Sequence, residues 1–330
     1  MLGFVARRVV YMVATLFLIS IVSFAIIQLP PGDFLTTLAS KMGQQGETLD
    51  QAQLAALRER YGLGDSVATQ YVKWISAILL HGDFGQSFEW NRPVSELLAQ
   101  RLPLTIALAV STLLLTWIIA FPIGIYSAVR QYSAGDYIFT TIGFLGLAIP
   151  HFLIALVLMY IGFHYFGQTV GGLFSSRFAE ATWNLGKIFD LLSHLWVPVI
   201  VLGTAGTAGL IRILRANLLD ELRKPYVVAA RGRGMREWAL LLKYPLRVAM
   251  NPFISTVGWI LPALVSGEVI VGQVLSLPTT GPLLLGALTS QDMYLAGSVI
   301  LIVSALTVIG TLISDILLAW LDPRVRLQGR

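Results

Sequence analysis

No cysteine occurs in the 330 residues, so disulfides, thiolate metal sites and cysteine nucleophiles are excluded. Charge is scarce: Asp, Glu, Lys and Arg make up 12% of the chain, and 56% of it is hydrophobic. A soluble domain usually carries about 25% charged residues, so this composition fits lipid as the solvent. A phosphate-cradling Walker A loop is missing too. The single Gly-Lys pair, Gly186-Lys187, is followed by Ile188 rather than Ser or Thr, which leaves no recognisable ATP site. The four histidines, His81, His151, His164 and His194, have no zinc-ligand spacing. His151 and His164 fall on one expected helix but about 20 Å apart along it, too far to share a metal. No Ser/His or paired-Asp constellation of an intramembrane protease is evident. No catalytic residue and no metal site is therefore assigned, and the chain is not expected to be an enzyme.

What is present is a series of long apolar runs. A membrane-crossing helix needs about 20 predominantly apolar residues. Residues 9–29, 103–129, 137–176, 191–211, 248–267 and 294–314 contain no Asp, Glu, Lys or Arg. The third run is too long for one helix, so its span is expected at 138–166. The prediction is an all-α polytopic membrane protein with six transmembrane helices. Arg7 and Arg8 ahead of the first run resemble a signal peptide. The run is longer than a secretory h-region and meets Pro30-Pro31-Gly32 without a small-residue cleavage site, so a retained anchor is expected.

Basic residues sort by side. With the N-terminus inside, segments 1–8, 129–137, 212–251 and 322–330 hold 15 Lys/Arg in 66 residues, against 8 in the 112 residues of 30–101, 167–190 and 278–293. Positive residues stay on the cytoplasmic side, so both termini are expected there. The net charge of +5 is then a topology signal rather than a nucleic-acid footprint.

The chain divides into an N-terminal segment and first helix at 1–29, an extracytoplasmic region at 30–101 and a five-helix core at 102–330 with an inner loop at 212–251. Segments 54–61 and 70–80 read as short helices, so 30–101 is expected to be a small folded cap. The inner loop holds nine of the 23 basic residues. It serves either as a topology signal or as a docking surface. Its length and the apolar run Trp238-Ala239-Leu240-Leu241-Leu242 favour short helices packed against a partner.

Ionisable residues within spans are functional hypotheses by default. Arg212 and Asp315 lie near the inner ends of spans four and six, where snorkelling or pairing explains them. Glu268 falls in the outer half of span five and serves either a cationic part of a substrate or an interhelical hydrogen bond. Ser255, Trp259, Pro262 and Ser266, at steps of four, three and four, form one stripe on that span. Such a stripe lines a translocation path or packs against another helix. Glu268 lies on the opposite side from Ser266 on a regular helix.

Several motifs together resemble one family. They are Leu57-Arg58-Glu59-Arg60-Tyr61-Gly62-Leu63, Gln70-Tyr71, Gly82-Asp83-Phe84-Gly85-Gln86-Ser87, Arg92-Pro93-Val94, Arg101-Leu102-Pro103, the segment 226–234, and Leu321-Asp322-Pro323-Arg324. In this order they resemble the first permease subunit of peptide-type ABC importers over essentially the whole chain. The resemblance implies a type I importer permease fold in the bacterial inner membrane. It implies as partners a second homologous permease, two cytoplasmic ATP-binding domains that bind ATP and Mg, and an extracytoplasmic binding protein. It also implies that Ala229, Ala230, Arg231, Gly232, Arg233 and Gly234 form the ATPase-coupling segment. The family's coupling pattern E-A-A-x-x-x-G departs here at Val228, and Pro278-Thr279-Thr280-Gly281 stands where Pro-Gly-x-Gly is common. Peptides are the commonest cargo of the family; nickel complexes, opines and oligosaccharides are others. An ion-gradient-driven secondary transporter or channel is the competing reading.

Overall fold

The computed structural model describes residues 2–28, 65–87, 89–167, 171–256 and 269–321. The chain separates into two compact units, the first of Met1–Met12, Leu104–Pro282 and Leu306–Arg330, the second of Val13–Pro103 and Leu283–Ala305. The described residues are helical throughout, apart from loops and one two-residue antiparallel ladder.

The second unit holds most of α1 (Leu2–Gln28), then α2 (Val67–His81), the ladder of β1 (Gln86–Ser87) and β2 (Arg92–Pro93), and the first turns of α3 (Val94–Val129). The Ser66 hydroxyl caps α2 by accepting from Thr69 N–H, and Gly82 ends it in the left-handed conformation, φ +64°, donating to the Ala77 and Ile78 carbonyls. The expected helix at 70–80 is thus present with three more residues at its start; the one expected at 54–61 lies outside the described residues. Helices α1 and α2 pack through Phe24, Tyr71 and Trp74. The Ser20 hydroxyl and Tyr71 OH share a hydrogen bond of 2.7 Å beside them. The buried Asp292 carboxylate accepts from Ser87 Oγ at 2.5 Å, from Glu89 N–H and from Leu295 N–H. It caps α12 (Met293–Leu321) and fixes the ladder to it.

In the first unit, the expected single span at 138–166 is two helices, α4 (Ala134–Ala148) and α5 (His151–Phe166), bent by 101°. Pro150 explains the break. A residue before proline is pushed out of the helical region, and Ile149 is extended at φ −86°, ψ 126°. The expected span at 191–211 is the middle of α6 (Leu185–Leu222), 38 residues or about 57 Å long, which carries Pro198 inside it. Residues 104–129 of α3 and α5 pack on α6 through Leu104, Leu108, Ala155, Leu195 and Val199. Towards the C-terminal end of α6 the core passes to Ala120, Leu210, Leu214, Leu218 and Phe253.

Beyond α6 follow α7 (Pro225–Gly232), α8 (Glu237–Lys243), α9 (Pro245–Ala249) and α10 (Asn251–Ser255). Residues 269–274 are helical too, and α11 (Thr280–Thr289) follows them. The part of the expected fifth span that is described consists of the short helices α9 and α10, with prolines Pro245 and Pro252 in their first turns. Among the described residues four helices are long and apolar enough to cross a membrane, and a fifth crossing is made if the bent pair α4/α5 serves as one.

Asp315 is paired rather than open to a path: its carboxylate lies 2.9 Å from Arg8 Nη1.

Candidate functional site

The expected coupling segment follows α6. That helix runs eleven residues past the end of the apolar run at Ile211, so the first part of the expected inner loop is rigid helix. Arg215, one turn into this extension, donates from Nε and Nη2 to both oxygens of Asp136, at 2.9 and 2.8 Å. Asp136 is buried at the start of α4, where its carboxylate also accepts from Tyr132 N–H and its own N–H donates to Ser133 Oγ. This bidentate pair ties the base of α4 to the α6 extension. It was not read from the sequence. The fragment Ser133-x-x-Asp136 has the form of a helix-start box, which marks α4 but not its partner 79 residues away.

Helix α7 starts where proline is tolerated best, with Pro225 at its first turn and no N–H to satisfy. Val227 and Ala230 face inward against Leu240 of α8, with Met235 beside them. Tyr226, Val228, Ala229, Arg231 and Gly232 are exposed. Gly234 turns the chain at φ +78°, where a residue with a Cβ is strained, although nothing lies within 4 Å of a Cβ placed there. Arg231 donates from Nε and Nη2 to Glu237 at 2.6 and 3.1 Å, closing the turn from α7 to α8. The Arg231 hydrogen bond holds the Glu237 carboxyl below its ordinary range.

The structure thus brings the six expected coupling residues into one helix–turn unit but gives them different tasks. Ala230 is spent on internal packing and Arg231 on an internal ion pair. Ala229 and Arg233, with an edge of Ala230, line an open cleft of about 800 Å³ together with Lys224, Tyr226 and Arg247. Of the expected path residues, Ser255 sits at the end of α10, where its hydroxyl donates to the Asn251 carbonyl at 3.0 Å. Trp259, Pro262, Ser266 and Glu268 lie outside the described residues.

Comparison with known proteins agrees with this architecture. The family described as "Binding-protein-dependent transport system inner membrane component" matches residues 120–327, and its N-terminal counterpart matches residues 1–109. The oligopeptide transport system permease protein AppB of Bacillus subtilis (strain 168) is 36% identical over 327 residues, covering 98% of this chain and 99% of that one. The nickel import system permease protein NikB of Staphylococcus aureus (strain MRSA252) is 31% identical over 321 residues, covering 97% and 91%. The chain belongs to the family of binding-protein-dependent inner-membrane transport components. It is a multi-pass permease subunit of an ABC importer and not itself an enzyme, a reading that fits better than an ion-gradient-driven transporter or channel.

Proposed function

We propose that this subunit forms half of a translocation path for peptides or similar small solutes, delivered from outside by a binding protein. A second homologous permease supplies the other half, and two cytoplasmic ATP-binding domains hold the ATP and Mg. The names of the relatives point to oligopeptides and nickel as the two cargo classes to test first. Both termini and the segment 212–251 lie in the cytoplasm on this reading, and residues 30–101 outside.

The observation that carries the reading is the direct succession of α6 and α7, separated only by Arg223 and Lys224. A helix of 38 residues passes through an apolar run and ends on a short helix whose exposed side is free to meet a soluble partner. Force applied to α7 by closure of the ATP-binding domains reaches the membrane along α6. The Asp136–Arg215 pair passes it sideways to α4.

Affinity purification of the chain from its native membrane is expected to bring down a second permease and ATP-binding subunits. The chain alone is expected to bind no ATP, and hydrolysis by the isolated subunit would remove the division of labour. Topology is tested with the native absence of cysteine as background. Ala68→Cys is expected to react with an impermeant thiol reagent in sealed cells, and Ala239→Cys only after the inner face is opened; both positions are exposed. Labelling of position 239 in sealed cells would reverse the orientation.

A further inference from the structure

Helices α1 and α12 carry a common depth scale. The ion pair between them, Arg8 with Asp315, marks one edge of the apolar layer or lies outside it. From Arg8 to Gln28 is about 30 Å along α1, which matches a hydrocarbon thickness of about 30 Å. From Asp315 to Tyr294 is about 32 Å along α12. The two counts agree where the helices touch again. A Cβ placed on Gly297 would lie 2.5 Å from Ile27, and these residues are about 27 and 29 Å from the pair. Gln28 and Tyr294 therefore stand at the far edge of the hydrocarbon.

Helix α2, expected from the sequence as part of a folded extracytoplasmic cap, is held inside that edge. The Gln28 side-chain amide donates to Gln70 Oε1 at 2.8 Å, so α2 starts level with it. Tyr71 and Trp74 then pack on Phe24, with ring centroids 5.5 and 5.6 Å away. Phe24 is about 6 Å inside the edge. The Tyr71 hydroxyl reaches Ser20, about 12 Å inside. Ser20 gives its own proton to the Phe17 carbonyl at 2.7 Å, so Tyr71 donates to Ser20 and is satisfied without water. Past the end of α2 the Phe84 carbonyl accepts from Ser298 Oγ at 3.4 Å, and Ser298 is only about 26 Å from Asp315. The chain leaves α2 still inside the edge.

The sides of α2 that do not pack on α1 are apolar. Val72, Leu79 and Leu80 are exposed by 59%, 76% and 76%. The single lysine of the helix, Lys73, is paired with Asp65 at 2.7 Å, so neither charge is left over for a headgroup. Between the two helices lies a cleft of about 540 Å³, lined by Ile21, Phe24 and Ala25 of α1 and Val67, Ala68 and Tyr71 of α2. An amphipathic helix in a membrane interface buries its apolar face about 5–10 Å into the headgroup and acyl boundary, and Phe24 sets that depth here.

We infer that α2 lies in the lipid of the leaflet at the Gln28 end, and that the α1–α2 cleft takes a phospholipid acyl chain there. That leaflet is the outer one on the orientation proposed above, and only its name depends on that reading. Ala68, in the first turn of α2, stays at the mouth of the cleft, level with the edge and within reach of water.

The test uses the complete importer in nanodiscs, with bimane on single cysteines placed in the cysteine-free chain. Ala25→Cys in the cleft and Val72→Cys and Leu79→Cys on the free sides are expected to emit further to the blue than Ala239→Cys. They are expected to lose at least about half their intensity to phosphatidylcholine brominated in mid-chain, as befits labels below the headgroups. Ala239→Cys is expected to lose almost none. Uptake by each labelled importer checks its assembly, and Leu80→Cys replaces any free-side variant that fails to assemble. Emission at 72 and 79 like that at 239, without quenching, puts α2 in water and overturns the inference. Blue emission without quenching, with cross-links from 72 or 79 to the second permease, shows a protein cover and overturns it too. Quenching at 72 and 79 but not at 25 overturns the acyl-chain site. Each of these results leaves the importer reading intact, because uptake is measured on the same samples.

Discussion

Arg215→Ala is expected to destabilise the permease by about 3–5 kcal/mol, because it leaves the buried Asp136 carboxylate without its partner. Removal of one member of a buried pair costs more than removal of both. Asp136→Leu/Arg215→Met should therefore recover much of the loss, since apolar residues of similar volume often replace a buried pair without penalty. Arg215→Lys keeps the charge but cannot reproduce the two parallel hydrogen bonds, and an intermediate loss follows. Thermal unfolding of the three purified variants followed by tryptophan fluorescence measures these losses against the native chain. Single variants within about 1 kcal/mol of the native chain would show that the pair is solvated and carries no load. Functionally, the double variant is the informative one. A folded, inserted chain with normal ATP hydrolysis by its partners and reduced uptake would place the pair in the transmission from α6 to α4.

The second large effect concerns the turn after α7. Gly234→Val puts a β-branched residue at φ +78°, a backbone region such side chains rarely adopt. Ala229→Trp fills the cleft wall without touching the core of the helix–turn unit, since Ala229 is exposed. Both variants are expected to insert normally and to lose uptake at least about tenfold, an order-of-magnitude figure for a contact buried at an interface. The ATP-binding subunits then either detach or hydrolyse ATP without cargo movement. Ala230→Trp is a poorer probe: that side chain is packed against Val227 and Leu240, so the substitution disturbs the chain's own fold. Native uptake by Ala229→Trp and Gly234→Val together, with the ATP-binding subunits bound, would reduce this segment to a topology signal.

The motifs also show where sequence reading works and where it stops. Gly82-Asp83-Phe84-Gly85-Gln86-Ser87 carries part of the family resemblance, and in the structure it runs from the left-handed end of α2 at Gly82 into strand β1. It does not show why the Ser matters. Ser87 is held by Asp292, 205 residues away, and Gly85 passes so close to Tyr294 that a Cβ would lie 2.8 Å from the ring. Arg231 and Arg233 look alike in the sequence, two residues apart. Only the fold separates them, placing Arg231 on Glu237 and Arg233 in the cleft.

The sequence by itself determined the solvent, the sidedness expected of the loops and the all-α class. Each of these depends on composition or on runs of neighbouring residues, and a run of uncharged residues reads the same in a chain or in a list. It also carried enough local motifs to resemble the right family. The tertiary structure decided the rest. It converted the third run into two helices at Pro150, because the local cost of a proline becomes a 101° bend only when both halves find separate packing. It carried α6 eleven residues into the supposed loop, because Leu214 and Leu218 have a core to enter there. And it chose the partners of Asp136, Asp292 and the basic residues around α7. Charges find each other through space, at separations along the chain that no periodicity encodes.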